Sequence, residues 1–180
     1  CRPDNAEARE ATKREIKTVS MPGALAENVL LERKPLVVAG THGKTTTSTL
    51  LAYLLRQTGT DAGFFIGGIP LNFDRSSRLG AMGAPFVIEG DEYDSAFFEK
   101  VPKFWSYRPS AAILTSIEYD HVDIFPDEAA YLAAFRKFVE LIPKGGWLFA
   151  WAGDPRVREV AADAHCKVRF YALDGDECGD

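Results

Sequence analysis

The chain has 180 residues and a formal net charge of −5 at pH 7. This acidic balance argues against a protein that binds nucleic acid non-specifically, because such proteins need a basic surface. No stretch is long and apolar enough to span a bilayer, and the first residues are polar and charged, unlike a signal peptide. A hydrophobic content of 46% is enough for one packed domain or a little more.

The three cysteines are Cys1, Cys166 and Cys178, and they lack the spacing of a metal site. An odd number without a paired pattern indicates reduced thiols, so we expect a cytoplasmic protein. The sequence does not begin with methionine, and we expect it to be an excised piece of a longer protein.

The chain divides by composition into a leading segment and a main domain. Residues 1–34 are predicted to be a linker segment with short helices, and residues 35–180 to form the domain. Residues 5–18 are rich in Ala, Glu, Arg and Lys, which favours a solvated helix or linker. The Met-Pro-Gly sequence at 21–23 is expected to break this segment before a short helix over 24–31.

Short apolar strands alternate with helices along the main domain. This alternation predicts an α/β fold with a mostly parallel sheet and helices on both faces. Ligands of such sheets bind beyond the carboxyl ends of the strands, so segments that directly follow strands are expected to share one rim. The predicted strands are 36–39, 62–66, 86–88, 111–117, 147–151 and 168–171, and the predicted helices are 45–58, 126–142 and 156–164.

A strand, a glycine-bracketed turn and a helix follow one another over residues 36–58, with Gly-Lys-Thr at the start of the helix. This order is typical of a phosphate-binding loop, in which glycines let the backbone wrap the anion and helix N–H groups point at it. An ordinary turn with a capping threonine is the alternative. The residues predicted to bind the phosphates are Gly40, Thr41, His42, Gly43, Lys44, Thr45 and Thr46.

Individual roles follow from the chemistry of such loops. Lys44 is expected to reach into an open phosphate site and bridge the outer phosphates, and the Thr45 hydroxyl to ligate magnesium. His42 is expected to contribute its backbone N–H. The spacing is shorter than usual, because Val38 stands where the first glycine is expected and the glycine comes at Gly40.

Four carboxylates fall within six residues directly after the strand over 86–88, at Glu89, Asp91, Glu92 and Asp94. A carboxylate at a strand end near a phosphate loop is placed to hold magnesium, and a solvated acidic loop is the alternative. Glu89 is the best candidate because it follows the strand immediately. The other acids are expected to face solvent or a second substrate.

His121 lies between Asp120 and Asp123 after the strand over 111–117. A histidine can ligate a metal through one ring nitrogen while a carboxylate fixes the other. Taken alone, these residues favour a surface histidine that caps a turn.

Three segments, in the same order, resemble motifs of the Mur ligases, which build the peptide stem of bacterial cell-wall precursors. Residues 39–47 resemble the ATP-binding loop of that family, in which the short spacing is normal. Residues 88–98 and 118–125 resemble the next two motifs. The resemblance extends over about residues 20–175.

This resemblance implies an ATP-dependent amide ligase. Such an enzyme phosphorylates the carboxylate of UDP-N-acetylmuramate and joins it, through an acyl phosphate, to the amine of an amino acid or a peptide. The resemblance implies that Lys44 holds the outer phosphates of ATP, that Thr45 ligates one Mg²⁺, and that Glu89 and His121 ligate a second. Lys44, Glu89 and His121 would then be the catalytic residues, in an ATP-binding central domain that ends before its usual C-terminus.

Two departures and two alternatives accompany the resemblance. Ser116 stands where many family members carry asparagine, and Arg136 and Lys137 on the following helix receive no role. Another phosphate-loop enzyme, such as a kinase or a folylpolyglutamate synthase, is one alternative. A nucleotide-binding regulatory module without catalysis is the other, although the acidic cluster and His121 argue against it.

Overall fold

The computed structural model describes residues 4–94, 96–119 and 124–174. Its strands are β1 (Lys34–Ala39), β2 (Gly63–Phe65), β3 (Ser77–Arg78), β4 (Pro85–Gly90), β5 (Ala111–Leu114), β6 (Trp147–Trp151) and β7 (Lys167–Tyr171). They form one sheet in the order β3-β2-β4-β1-β5-β6-β7. All neighbouring strands are parallel except β2 and β3, which are antiparallel.

The helices lie before, between and after these strands. They are α1 (Ala6–Lys13), α2 (Met21–Leu25) with a π-helical continuation over Ala26–Leu30, α3 (Lys44–Gln57), a 3-10 turn over Lys103–Ser106, α4 (Glu128–Glu140) and α5 (Pro155–Ala161). None of the helices in the described part of the chain combines the length and apolar character that crossing a membrane requires.

The sheet has a core on each face because successive side chains of a strand point to opposite sides. On one face, Val37 and Leu114 are buried in the larger core together with residues of α4 and α5. On the other face, Phe64 and Val87 pack against Ala52 of α3. The predicted α/β fold, with a mostly parallel sheet and helices on both faces, is therefore confirmed.

The strands differ from the predicted ones in two places. No strand was predicted between 66 and 86, but this stretch contains β3, which pairs with β2. Two residues carry too little alternation to be recognised as a strand from sequence. β5 ends at Leu114, although a strand was predicted to continue to 117, because residues 115–118 leave the sheet to contact the loop after β1.

The leading segment also differs from the prediction. The expected break at 21–23 is wrong, since α2 begins there: the Ser20 hydroxyl accepts a hydrogen bond from Gly23 N–H at 3.2 Å. Pro22 occupies the first turn, where a helix does not need its N–H. Leu30, at the end of this helical stretch, is buried in the larger core, whereas α1 buries no side chain.

The topology brings three connections to one rim. β1 lies between β4 and β5 in the sheet, so the segments that follow these parallel strands adjoin at their carboxyl ends. These segments are the phosphate loop (residues 40–43), the acidic stretch (residues 89–94) and residues 115–118. His121 and its neighbours at 120–123 lie outside the described residues.

Candidate functional site

The phosphate loop joins β1 to α3 through two glycines with positive φ. Gly40 has a φ of 133° and Gly43 a φ of 79°, backbone conformations that favour glycine. A Cβ on Gly40 would also lie 2.1 Å from Thr115 Oγ1, so the neighbouring segment approaches too closely for any side chain. Gly43 is the N-cap of α3, and no side chain caps this helix, which rules out a turn with a capping threonine. The N–H groups of its first turn are therefore available to an anion.

Residues 115–118 hold the phosphate loop in place. Thr41 N–H donates to the Ser116 carbonyl at 2.8 Å, and Thr115 Oγ1 donates to the His42 carbonyl at 2.6 Å. His42 N–H, which was predicted to face a phosphate, donates to Ser116 Oγ at 3.1 Å. Ser116 thus contributes a contact to the loop, and these bonds explain how a short loop keeps its shape.

A cavity of about 530 Å³ lies beside the loop. This volume is within the range of about 300–1,000 Å³ that small-molecule sites usually have. All of the predicted phosphate-binding residues except Gly40 line it, together with Gly67 after β2 and with residues at and after the end of β4. The lining residues are Thr41, His42, Gly43, Lys44, Thr45, Thr46, Gly67, Glu89, Asp91 and Tyr93.

On one side of the cavity, Lys44 is held by buried groups. Its Nζ donates to the carbonyls of Gly40 at 2.6 Å and Thr41 at 3.2 Å, and it forms an ion pair with Glu92 Oε2 at 3.1 Å. The side chains of Lys44 and Glu92 are 13% and 1% exposed. Lys44 lines the cavity while its Nζ is held by the loop carbonyls and Glu92, and its expected contact with the outer phosphates stays a prediction.

Tyr131 of α4 connects this ion pair to the core. Its hydroxyl lies 2.9 Å from Thr41 Oγ1 and donates to Glu92 Oε1 at 3.4 Å. The prediction that the acids other than Glu89 face solvent or a second substrate is consequently wrong for Glu92. Sequence reasoning missed Glu92 because it lies in a run of acids, and missed Tyr131 because it falls on the apolar face of α4. We call Lys44, Glu92, Tyr131 and Thr41 the lysine side of the site.

On the other side of the cavity, Thr45 and Glu89 are more open to solvent. Thr45 Oγ1 donates to Glu89 Oε2 at 3.1 Å, and Gly67 N–H donates to Glu89 Oε1 at 2.9 Å. Hydroxyl and carboxylate oxygens are the ligands that Mg²⁺ prefers, so this donor set fits the expected metal. We call Thr45, Glu89 and Gly67 the magnesium side of the site.

The partnership of Glu89 with His121 stays a prediction, because His121 is not among the described residues. Within the described ranges, no group of three His, Cys, Asp or Glu side chains is close enough together to hold a metal ion. Glu89 and the Thr45 hydroxyl are therefore the protein ligands that the described part of the site offers.

Asp91 and Tyr93 also line the cavity. Lys103 Nζ lies 2.9 Å from Asp91 Oδ2 and 4.2 Å from the centre of the Tyr93 ring. Burial, followed by the negative charge of Asp91 and a hydrogen bond to it, raises the pKa of Tyr93 to about 12. Tyr93 is therefore a neutral phenol at physiological pH.

Residues 38–178 match the family profile described as Mur ligase middle domain. The chain belongs to the Mur ligase family. The seven-stranded sheet and its phosphate loop, with its short glycine spacing, are therefore those of a Mur ligase middle domain.

Two curated relatives represent two activities within the family. The chain is 43% identical over 148 residues to UDP-N-acetylmuramate–L-alanyl-γ-D-glutamyl-meso-2,6-diaminoheptandioate ligase of Haemophilus influenzae, a match that covers 82% of this chain and 32% of that protein. It is 41% identical over 143 residues to UDP-N-acetylmuramate–L-alanine ligase of Roseiflexus sp. (strain RS-1), covering 79% and 29%. The chain thus spans less than a third of the length of these relatives.

The fold matches a crystal structure of UDP-N-acetylmuramate:L-alanyl-γ-D-glutamyl-meso-diaminopimelate ligase from Neisseria meningitides. The two superpose with a TM-score of 0.88 and are 36% identical. The match covers 94% of this chain and 55% of that chain.

Proposed function

We propose that this chain is the ATP-binding domain of a ligase that joins L-alanyl-γ-D-glutamyl-meso-diaminopimelate to UDP-N-acetylmuramate. The tripeptide acceptor is supported by the Haemophilus relative and the Neisseria structure, which are both named for it. L-Alanine is the second candidate acceptor, because the Roseiflexus relative named for that activity is nearly as similar, at 41% identity.

The observation that carries the nucleotide-binding part is the convergence of Lys44, Thr45 and Glu89 on one cavity at the start of α3. In this proposal, residues 40–46 bind the phosphates of ATP, and Lys44 neutralises charge on the outer phosphates. Thr45 holds one Mg²⁺, and Glu89 with His121 holds a second. Bound magnesium supplies further charge neutralisation at the phosphoryl group that is transferred.

The complete reaction has two steps in this proposal. The muramyl carboxylate attacks the γ-phosphorus of ATP and displaces ADP, which gives an acyl phosphate. The acceptor amine then attacks the acyl carbon, phosphate leaves with the C–O bond electrons, and the amine nitrogen releases one proton to the departing phosphate or to solvent. Lys44 and the N–H groups at the start of α3 hold the phosphates in line for the first step.

The proposal also covers organisation and location. Residues 35–180 act as the ATP-binding domain; of residues 1–34, the exposed α1 acts as the linker, whereas the helical stretch that ends at Leu30 packs into the domain core. The enzyme works in the cytoplasm, on small molecules and without a nucleic-acid or membrane partner, which agrees with the acidic net charge of −5.

The test is ligation by a full-length protein that contains this chain. UDP-N-acetylmuramate and Mg-ATP are supplied with either the tripeptide or L-alanine, and ADP and the ligated product are measured. We expect ADP release coupled to tripeptide ligation. A strong preference for L-alanine would overturn the acceptor, and turnover of folate instead of UDP-N-acetylmuramate would overturn the proposed substrate class.

A further inference from the structure

A further polar cavity lies along the C-terminal half of α3, away from the phosphate loop. It has a volume of about 430 Å³, and three arginines line it: Arg56 of α3, Arg75, and Arg78 of β3. Arg56 is twelve residues beyond Lys44 on the same helix, which corresponds to about 18 Å at a rise of 1.5 Å per residue. We call this space the arginine cavity, and it is separate from the cavity beside the phosphate loop.

Two of the three arginines have no carboxylate partner among the described residues. Arg78 forms an ion pair with Asp61 at 2.5 Å and donates to the Ala62 carbonyl at 3.1 Å. Arg56, by contrast, lies over the ring of Phe73, with 6.0 Å between its Cζ and the ring centre. Arg56 and Arg75 are both exposed, and neither forms an ion pair or hydrogen bond within the described ranges. The cavity therefore offers two positive charges to a ligand.

The arginine cavity differs from the cavity beside the phosphate loop in its charges. None of the described residues that line it is Asp or Glu, whereas Glu89 and Asp91 line the other cavity. Mg²⁺ prefers oxygen ligands such as carboxylates, whereas a guanidinium binds an oxyanion directly through its fork of N–H donors. The lining therefore favours a metal-free oxyanion over a magnesium nucleotide.

Neutral groups complete the lining of the arginine cavity. Gln57 and Asn72 line it, and a side-chain amide both donates and accepts hydrogen bonds. Tyr53 and Phe73 contribute aromatic rings whose centres are 6.5 Å apart. A ligand that carries a polar body beside its oxyanion finds amide and ring contacts here in addition to the charge.

The connection between β2 and β3, which carries Arg75, is held in place by the domain. Phe73 stacks on the fully buried ring of Phe64, with 4.5 Å between the ring centres. Ile66 N–H donates to the Ser76 carbonyl at 2.8 Å, which closes the connection at its base. The backbone on both sides of Arg75 is thus fixed, so a ligand does not have to order this segment when it binds.

We propose that the arginine cavity is a second anion site, which binds the phosphate or carboxylate group of a small molecule without a metal ion. Arg56 and Arg75 pair with the oxyanion, and the amides of Gln57 and Asn72 bind the rest of the ligand. This inference goes beyond the proposed function and does not depend on it, because the two cavities share no lining residue within the described part of the chain.

The experiment is a titration of the 180-residue chain, observed by nitrogen NMR at constant ionic strength and without Mg²⁺. Inorganic phosphate and glutarate are the two probes. The Nε–H signals of Arg56 and Arg75 report on the arginine cavity, and the backbone N–H of Thr46 reports on the phosphate loop. We expect both arginine signals to move and saturate. Tighter binding of phosphate would assign a phosphorylated ligand, and tighter binding of glutarate a carboxylated one.

Arg75→Gln removes one of the two charges and keeps a polar side chain. We expect it to weaken binding of the tighter probe about tenfold, read from Arg56 Nε–H, because a charge-assisted hydrogen bond is lost. Phosphate binding read from Thr46 should not change. Arg169→Gln is the matched control, since it removes the same charge from an exposed arginine of β7, at the opposite edge of the sheet from β3. It should match the wild type.

Three results would overturn the inference. The first is the absence of saturable movement of the arginine signals with either probe. The second is an equal loss of affinity in Arg169→Gln, which would show a general charge effect. The third is movement of the arginine signals by Mg-ATP at lower concentrations than either metal-free probe requires.

A second variant keeps the inference testable if Arg75→Gln does not fold, which circular dichroism would reveal. Arg56→Gln is then read from Arg75 Nε–H, with the same expected loss of affinity. Mg-ATP binding at the phosphate loop is followed separately through Thr46. Failure of the arginine cavity to bind an anion would therefore leave the proposed function intact.

Discussion

Lys44 and Thr45 are adjacent in sequence at the start of one helix, yet their side chains enter different surroundings. Lys44 is 13% exposed and pairs with the buried Glu92, whereas Thr45 is exposed and bonds to the half-buried Glu89. Both pairs bridge α3 and the acidic stretch. The lysine side therefore contributes to the stability of the fold as well as to binding, whereas the magnesium side is open for a ligand at little cost to the fold.

Lys44→Ala should have the largest effect, because it changes both the stability of the fold and the binding of ATP. We expect loss of high-affinity ATP binding and a fall in the free energy of unfolding of about 3–5 kcal/mol, since Glu92 stays buried without this cation. Calorimetry and urea denaturation measure the two effects. The double variant Lys44→Ala/Glu92→Gln is the control: it should recover part of the stability and none of the binding. Unchanged stability in the single variant would show that the ion pair contributes nothing to the fold.

Glu89→Gln should weaken magnesium-dependent ATP binding while changing the stability of the fold only slightly. We expect ATP affinity in the presence of Mg²⁺ to fall about tenfold or more, about 1.4 kcal/mol, with a stability change below about 1 kcal/mol. ATP affinity without Mg²⁺ should change little. Titrations with and without the metal test this, and a loss of binding that is the same in both conditions would argue against a magnesium role for Glu89.

Tyr131→Phe should affect the lysine side more modestly. The change removes a buried hydroxyl that contacts Thr41 and Glu92 while preserving the ring. Since their partner group is lost inside the protein, we expect the free energy of unfolding to fall by about 1–2 kcal/mol. Urea denaturation measures it, with Tyr119→Phe as a comparison, because that hydroxyl donates to the Phe125 carbonyl outside the site. An unchanged free energy of unfolding in Tyr131→Phe would show that the contact between α4 and the loop does not stabilise the fold.

The smallest expected effect is a pH dependence of the free energy of unfolding that arises from Tyr93. Tyr93 has a pKa of about 12 in the folded chain against an ordinary value of 10.0. Between these values the unfolded chain loses the phenol proton while the folded chain keeps it, so the free energy of unfolding falls as pH rises. Urea denaturation at pH 9 and pH 11 should show this fall, and Tyr93→Phe should reduce it. An identical fall in the variant would assign the effect to other tyrosines, such as Tyr107, whose pKa is also raised by burial.

The sequence predicted the fold well because that prediction depends on local signals, and it brought Thr45 and Glu89 to one rim, although their magnesium role stays a prediction. Apolar runs predicted the parallel strands, and the strand–glycine–helix order predicted the loop. Glu89 was identified because it directly follows the predicted strand over 86–88; in the structure it lies near the end of β4, with its carboxylate against the Thr45 hydroxyl. Segments that follow neighbouring parallel strands meet at one rim, so this juxtaposition follows from topology.

The lysine side could not be predicted because it depends on contacts distant in sequence. Glu92 and Lys44 are 48 positions apart, and Tyr131 is 39 positions beyond Glu92. Within the acidic stretch, sequence alone does not tell which carboxylate is buried. Tyr131 has the spacing of an ordinary core residue of α4, and only the folded chain shows that its hydroxyl reaches the loop.

The most direct test of the account is a crystal structure of this chain with Mg²⁺ and a non-hydrolysable ATP analogue. We predict the phosphates at the start of α3, one Mg²⁺ at the Thr45 hydroxyl and a second at Glu89, and Lys44 Nζ on a phosphate oxygen instead of Glu92. The described part of the chain has another polar cavity of about 430 Å³, lined by Arg75 and by Arg56 near the C-terminal end of α3. A nucleotide bound there, or bound at the loop with the Lys44–Glu92 ion pair unbroken, would contradict the account.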